Sequence, residues 1–296
     1  YLPDVRELTT LPEELHDPIG DDAHSPVKGV VHRYPDRVLL KLSTACAVYC
    51  RFCFRREMIG PGSEALSPDD VETALAYIEN SAAVWEVILT GGDPLVLSAR
   101  RLREILERLR AIEHVAIVRV HTRVPMADPA RISPALVEAL RTFPSLWVAV
   151  HANHAREFSP EAAAAIARLA DAGVPLLGQT VLLRGVNDEA ATLEALFRTM
   201  LKHRIKPYYL HHPDLARGTS HFRLSLEEGQ GLMKSLRGRL SGPALPTYML
   251  DIPGGFGKVP AGPVYVQRTK DGLYYVEDPT GGQHVYPPRQ ASRKSL

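Results

Sequence analysis

Apolar and polar positions along this chain follow two periods that take turns. VLLKLS at 38–43 is a short apolar run with strand character, and SPDDVETALAYIEN at 67–80 spaces its apolar residues for one face of a helix. Ser67 suits an N-cap, Pro68 the first helical position, and Asp69 and Asp70 the first turn, so a helix is predicted to start there. WEVILTGGDPL, from residue 85, repeats the strand signal and ends in a glycine turn. The exchange continues through ARRLREILERLRAI and HVAIVRVHT, ISPALVEALRTF and LWVAVHANH, SPEAAAAIARLADAG and VPLLGQTVLL, then NDEAATLEALFRTMLKH and IKPYYLHH. SLEEGQGLMKSLRG supplies a last helix. Strands that alternate with helices of this length predict parallel βαβ units. With six units rather than eight, the expected fold is α/β, a partial (β/α)6 TIM-like barrel open on one side.

The flanks differ. Residues 1–36 are rich in Pro, Asp and His and read as an irregular lead-in, with the barrel expected over 37–240. Residues 241–296 are rich in Gly and Pro, with strand-like TYMLDI, PVYVQR and GLYYVE, and form a short β extension that could cover or close the open side.

Composition narrows the class. In 296 residues, 35 Lys and Arg stand against 34 Asp and Glu, so overall charge gives no reason to expect a nucleic-acid partner. No apolar run approaches the ~18–20 residues of a membrane span. No basic stretch leads into an apolar core, so no secretory leader is expected and the cytoplasm is the expected location. The chain starts at Tyr1 rather than Met, which leaves room for a preceding segment.

Cys46, Gly91-Gly92-Asp93, His121, His151, Gln179 and His211 all fall at or just past strand C-termini, the face where parallel barrels carry their chemistry. The cysteines are Cys46, Cys50 and Cys53, packed into ACAVYCRFC. An odd number so closely spaced is a poor disulfide framework and suits a metal centre. Structural zinc would want a fourth ligand, such as His151 or His211. An iron–sulfur cubane is normally held by four cysteines, so a trio leaves one iron open to an external ligand. CxxxCxxC after a strand, with Phe52 before the last cysteine, resembles the radical S-adenosylmethionine enzymes. That resemblance implies a 4Fe-4S cluster whose open iron is chelated by S-adenosylmethionine. It also implies an electron donor such as flavodoxin or ferredoxin.

Motifs elsewhere sharpen the match. HRYPDRVL at 32–39, CRFCFRRE at 50–57, LTGGDPL at 89–95, QTVLLRGVND at 179–188, PYYLHHPDLARGTSHFR at 207–223, LSGPALPTY at 240–248 and LDIPGGFGKVP at 250–260 resemble the lysine 2,3-aminomutase family. The resemblance implies pyridoxal 5'-phosphate beside the cluster and movement of an amino group between adjacent carbons, L-lysine to β-lysine. Another cationic amino acid or a lysine derivative is the alternative substrate, and a non-catalytic zinc module the alternative class.

By the resemblance, Lys258 in PGGFGK supplies the amine that anchors pyridoxal phosphate, where glycines allow close backbone approach. Arg37 matches the phosphate-binding position, and a guanidinium fork suits phosphate. Tyr34 lies beside the pyridine ring or simply packs. Arg55 matches the clamp on the substrate α-carboxylate, whereas Arg56 reads as solvated or structural. Asp214 and Asp251 match two carboxylates that hold the distal ammonium of lysine, each offsetting its desolvation. Gly91, Gly92 and Asp93 approach the methionine amino end of S-adenosylmethionine, or form a plain βα turn. His151 and Gln179 match positions near the adenosine. His121 and His154 have no such support and stay outside the expected site.

Two departures stand out. No cysteine exists outside the cluster, so a homo-oligomer built on a thiolate-held zinc between subunits is not carried over. His211, in YLHHPD, replaces a tyrosine of the main lysine branch. That tripeptide and the cysteine loop lean towards the branch serving elongation factor P, whereas PGGFGK and LDIPGG lean towards the main lysine branch.

Overall fold

The computed structural model describes residues 2–60, 62 and 66–287. The first strands are β1 (Val30–Tyr34) and β2 (Arg37–Ser43). The helix α1 (Pro68–Glu79) follows β2, and three βα units come next: β3 (Glu86–Gly91) with α2 (Ala99–Arg110), β4 (Ile117–Thr122) with the short α3 (Val124–Ala127) and α4 (Pro134–Leu140), and β5 (Leu146–His151) with α5 (Pro160–Asp171). Then come β6 (Leu176–Val181), α6 (Ala190–Lys202), β7 (Ile205–His211), α7 (Leu226–Leu236), β8 (Thr247–Ile252) and β9 (Gly257–Pro260). A short tail adds β10 (Val266–Arg268), β11 (Tyr274–Glu277) and β12 (Gln283–Tyr286).

Among the described residues, β1 to β9 form one sheet whose spatial order follows the sequence. Neighbours from β2 to β8 are parallel, while β1 and β9 join antiparallel at the two edges. The six expected βα units are therefore present in order, in an α/β barrel-like sheet. Two differences concern the flanks. The lead-in contains a strand, since β1 pairs with β2 through Val30↔Leu40 and Tyr34↔Arg37. TYMLDI is not a separate extension but the parallel neighbour of β7, with Leu210 opposite Tyr248. β8 is fixed by β7, a partner distant in sequence, and β1 by its hairpin with β2; the apolar pattern of either segment alone records neither. The rest of the tail, β10 to β12, pairs as its own antiparallel sheet.

The helices pack an apolar face on the sheet. In α2 the buried residues are Leu102, Ile105, Leu106 and Leu109, at i, i+3, i+4 and i+7. Truncating one of them, as in Leu106→Ala, should cost about 2–5 kcal/mol. Ser67, Ser98, Ser133, Ser159 and Ser225 each accept a bond from the backbone N–H three residues on, so serine caps end most loops at the strand C-terminal face. Those loops, held at both ends, carry the candidate chemistry. No described helix is long and apolar enough to cross a membrane.

Candidate active site

The cysteine loop leaves β2 at Ser43 and is tied back by the glycine turn after β3. Gly92 N–H donates to Ser43 O at 2.5 Å, and Asp93 N–H to Ala45 O at 2.9 Å. A Cβ on Gly92 would sit 2.3 Å from Ala45 O, a distance only glycine avoids. Gly91 has φ +106°, in the region that favours glycine. The Asp93 carboxylate is engaged by its own chain, accepting from Thr122 Oγ1 (2.8 Å) and from the backbone N–H groups of Leu95 (3.0 Å), Arg123 (2.6 Å) and Val124 (3.2 Å). It staples the β3 turn to the end of β4.

The three thiols are free and part-buried on this loop. Burial pushes all of them up, Cys46 to about 12 and Cys53 to about 11, and at Cys46 the charges of Asp93 and the other two thiols add to it. A trio of sulfurs that repel one another as thiolates is a donor set that needs a cation to deprotonate it.

A second wall is a ladder. Asp251 on β8 and Lys258 on β9 are paired across the two strands, and Lys258 Nζ lies 2.5 Å from both Asp251 oxygens. Lys258 N–H donates to Tyr34 Oη at 2.8 Å. The Arg37 guanidinium stacks 3.8 Å above the Tyr34 ring centroid and meets Asp36 at 2.7 Å. His211, at the end of β7, places Nδ1 3.7 Å from Asp251 and Nε2 3.3 Å from the Gln179 amide. Burial pushes the Asp251 carboxyl up, but the His211 contact and the Lys258 ammonium outweigh it and hold the group below its ordinary value. Asp214 moves the other way, raised by burial and by the charge of Asp251.

Between the two walls stand Arg55 and a pair of histidines. Arg55 is 7% exposed, with Nε 2.7 Å from Asp21 and Nη1 3.4 Å from Thr90 Oγ1. His121 and His151 meet edge to face with ring centroids 5.5 Å apart. Burial lowers both, with Arg119 adding to the effect at His121 and Arg123 at His151, which falls to about 3. Both imidazoles are therefore neutral, and each keeps a buried Nε2 without a protein partner.

A single cavity of about 600 Å³ joins these parts. Cys46, Cys50, Cys53, Tyr34, Arg37, Arg55, Gly91, Gly92, Asp93, His151, Gln179, Asp214, Asp251 and Lys258, every position singled out from sequence, line it. The volume falls within the usual ~300–1,000 Å³ for cofactor and ligand sites. Residues 1–36, read as lead-in, contribute Arg33 to the lining and Asp21 behind it. His121, left out for want of a motif, lines it too, whereas His154 caps the turn at 155–157 by accepting from Arg156 N–H at 3.0 Å. His121's place at a strand C-terminus was the one signal that could have included it.

Residues 40–196 match the family model of the radical SAM superfamily. The L-lysine 2,3-aminomutase of Fusobacterium nucleatum is 43% identical over 265 residues, which cover 90% of this chain and 62% of that one. A putative L-lysine 2,3-aminomutase of Aquifex aeolicus is 40% identical over 281 residues, covering 95% of this chain and 76% of its own length. The chain belongs to the lysine 2,3-aminomutase family of the radical SAM superfamily. It spans less than two thirds of the Fusobacterium relative. Among solved structures, a radical SAM methyltransferase from Sphaerobacter thermophilus aligns with a TM-score of 0.52 at 21% identity, over 75% of this chain and 68% of that one, a likeness of fold. Membership in the superfamily implies the 4Fe-4S cluster and S-adenosylmethionine, and the residues present fit both. The thiol trio lines a cavity whose walls also hold unpartnered buried nitrogens on His121 and His151, polar groups that a bound guest would satisfy.

Proposed function

We propose that the chain is the catalytic barrel of a pyridoxal phosphate-dependent aminomutase that converts L-lysine to β-lysine. The observation that carries this reading is the shared cavity, with Cys46, Cys50 and Cys53 on one wall and Lys258, Asp251 and Asp214 on another. When bound, the cluster with S-adenosylmethionine supplies a hydrogen-abstracting radical, and pyridoxal phosphate supplies a π-system that spreads the unpaired electron of the substrate.

The chain's own side chains bind and orient. Lys258 offers a primary amine where Gly254, Gly255 and Gly257 let the backbone come close. Arg37, stacked on Tyr34, presents its guanidinium for the cofactor phosphate. Arg55 receives the α-carboxylate of the substrate, and Asp214 with Asp251 receives its distal ammonium. Support for that last assignment comes from Lys258 itself, whose ammonium rests on Asp251 at 2.5 Å. At 4 Å and an effective dielectric near 20, each such contact has a gross Coulomb energy of roughly 4 kcal/mol, with a smaller net. The same reading carries a flavodoxin or ferredoxin as electron source and a cytoplasmic setting, where thiols stay reduced.

The test is product analysis under anaerobic conditions. Protein reconstituted with iron, sulfide, S-adenosylmethionine and pyridoxal phosphate is offered L-lysine, L-ornithine and L-glutamate in competition, and β-amino acids are separated by chromatography. β-Lysine as the dominant product is the expected result. Preference for glutamate, or no lysine turnover, would overturn the assignment.

A further inference from the structure

Asp21 lies outside every strand and helix that builds the barrel, yet it is 0% exposed. It stands before the short turn Asp22–His24, where an Asp could cap backbone N–H groups, but its side chain makes no such bond. Its oxygens go instead to two arginines. Oδ2 accepts from Arg55 Nε at 2.7 Å, and Oδ1 from Arg33 Nη2 at 3.4 Å. Both arginines line the cavity, while Asp21 is not among its lining residues. Arg33 reaches on to Asp251, 4.0 Å from its Nη1.

The segment that carries Asp21 is itself fixed from the Lys258 side. Gly254 N–H donates to Pro18 O at 3.2 Å, and a Cβ on Gly20 would lie 2.8 Å from the Gly255 backbone. His24 Nδ1 meets Gly20 O at 2.8 Å, and a Cβ on Gly255 would come within 2.6 Å of the His24 ring. Residues 18–24 therefore form a strap between the glycine turn before Lys258 and Arg55 on the cysteine loop.

We infer that Asp21 is the positioning residue that aims Arg55 at the carboxylate of the substrate. A guanidinium engaged through Nε has its rotation about the side chain fixed, and its remaining N–H groups keep one plane. The inference rests on the proposed lysine substrate and deepens it.

The experiment compares two ligands on the anaerobic holoenzyme by titration calorimetry. L-Lysine carries the carboxylate, and 1,5-diaminopentane lacks it while keeping the distal ammonium. In Asp21→Asn, which is close to isosteric, lysine affinity should fall about tenfold with diamine affinity unchanged, the loss expected for one charge-assisted hydrogen bond. Asp21→Glu keeps the charge and should lose less, in the same direction, and serves as readout if the asparagine variant does not fold. In an Arg55→Lys background, Asp21→Asn should change the preference no further, because there is no guanidinium left to aim. A merely structural role would weaken both ligands alike. Equal loss for the two ligands, or an unchanged lysine preference, overturns this inference alone. A parent enzyme that does not favour lysine over the diamine overturns the substrate reading and this inference with it.

Discussion

At one wall of the cavity three thiols sit on a loop without regular structure, and at the other an amine and a carboxylate face each other across a two-stranded ladder. The thiols are pushed up by burial and by one another, so their charged forms await a partner from outside the chain. The amine already has its partner, since Asp251 compensates Lys258 within the fold. Each construction matches its guest. A cluster brings its own positive charge and coordination geometry, so the protein need only supply donors on a restrained loop. In the proposed reading an ammonium is recognised by carboxylates already in place, so that wall is pre-charged.

The largest effects should separate the two walls. Cys50→Ala should lose turnover beyond detection and most of its iron and sulfide, yet still yield a pyridoxal adduct at Lys258 after borohydride reduction and peptide mapping. Lys258→Ala should lose turnover equally and the adduct with it, while keeping its iron and the brown absorbance near 400 nm. If either variant lost both groups, the walls would be one cooperative unit and the contrast would be wrong.

Next in size is the ladder pair. Asp251→Asn leaves a part-buried ammonium without its counter-charge and should cost about 1–3 kcal/mol, below the figure for a fully buried pair because Lys258 is partly exposed to solvent. The pH dependence has a definite sign. Asp251 is held below its ordinary value of 3.8, so its contribution is complete above that pH and is lost as pH falls through the lowered value. Urea midpoints of parent and variant should therefore differ at pH 7 and converge in the acid range. Equal midpoints at pH 7 would sink the claim of a compensated pair.

On the cysteine side the matching change is Gly92→Ala. Its Cβ would meet the Ala45 carbonyl oxygen at 2.3 Å, so the loop must shift away from the β3 turn. A loss of about 2 kcal/mol and reduced iron loading are expected, with the Lys258 adduct unaffected. Full iron occupancy would show that the loop does not depend on this staple.

The two walls were also unequally legible in sequence. The six βα units could be read because each rests on local periodicity and a local start signal, as in the Ser67-Pro68 cap of α1. The cysteine trio is likewise contiguous in the chain. Asp21 and Arg33 were not legible, because the partners they find, Arg55 and Asp251, lie far away in sequence. TYMLDI looked like part of an appended tail, since nothing in six residues tells a barrel strand from a strand of a separate small sheet. Asp93 was expected near the ligand; it lines the cavity, but its carboxylate is engaged by Thr122, Arg123 and Val124, partners that only folding brings together.

The smallest expected effect gives the finest test of the pre-charged wall. Asp214 is raised by burial and by Asp251, so its charged form is a strain on the empty protein that a substrate ammonium would relieve. A raised carboxyl contributes stability below the ordinary value of 3.8 and loses it as pH rises through the raised value. Asp214→Asn should then melt about 2–4 °C higher than the parent above that raised value, with the gain shrinking as pH falls towards 3.8. The same variant should bind lysine more weakly, because one of the two ammonium partners is gone. Stabilisation with weakened binding is the mark of a carboxylate kept for its ligand rather than for the fold. A variant that melts lower than the parent at neutral pH would place Asp214 among the structural acids and leave Asp251 alone to read the ammonium.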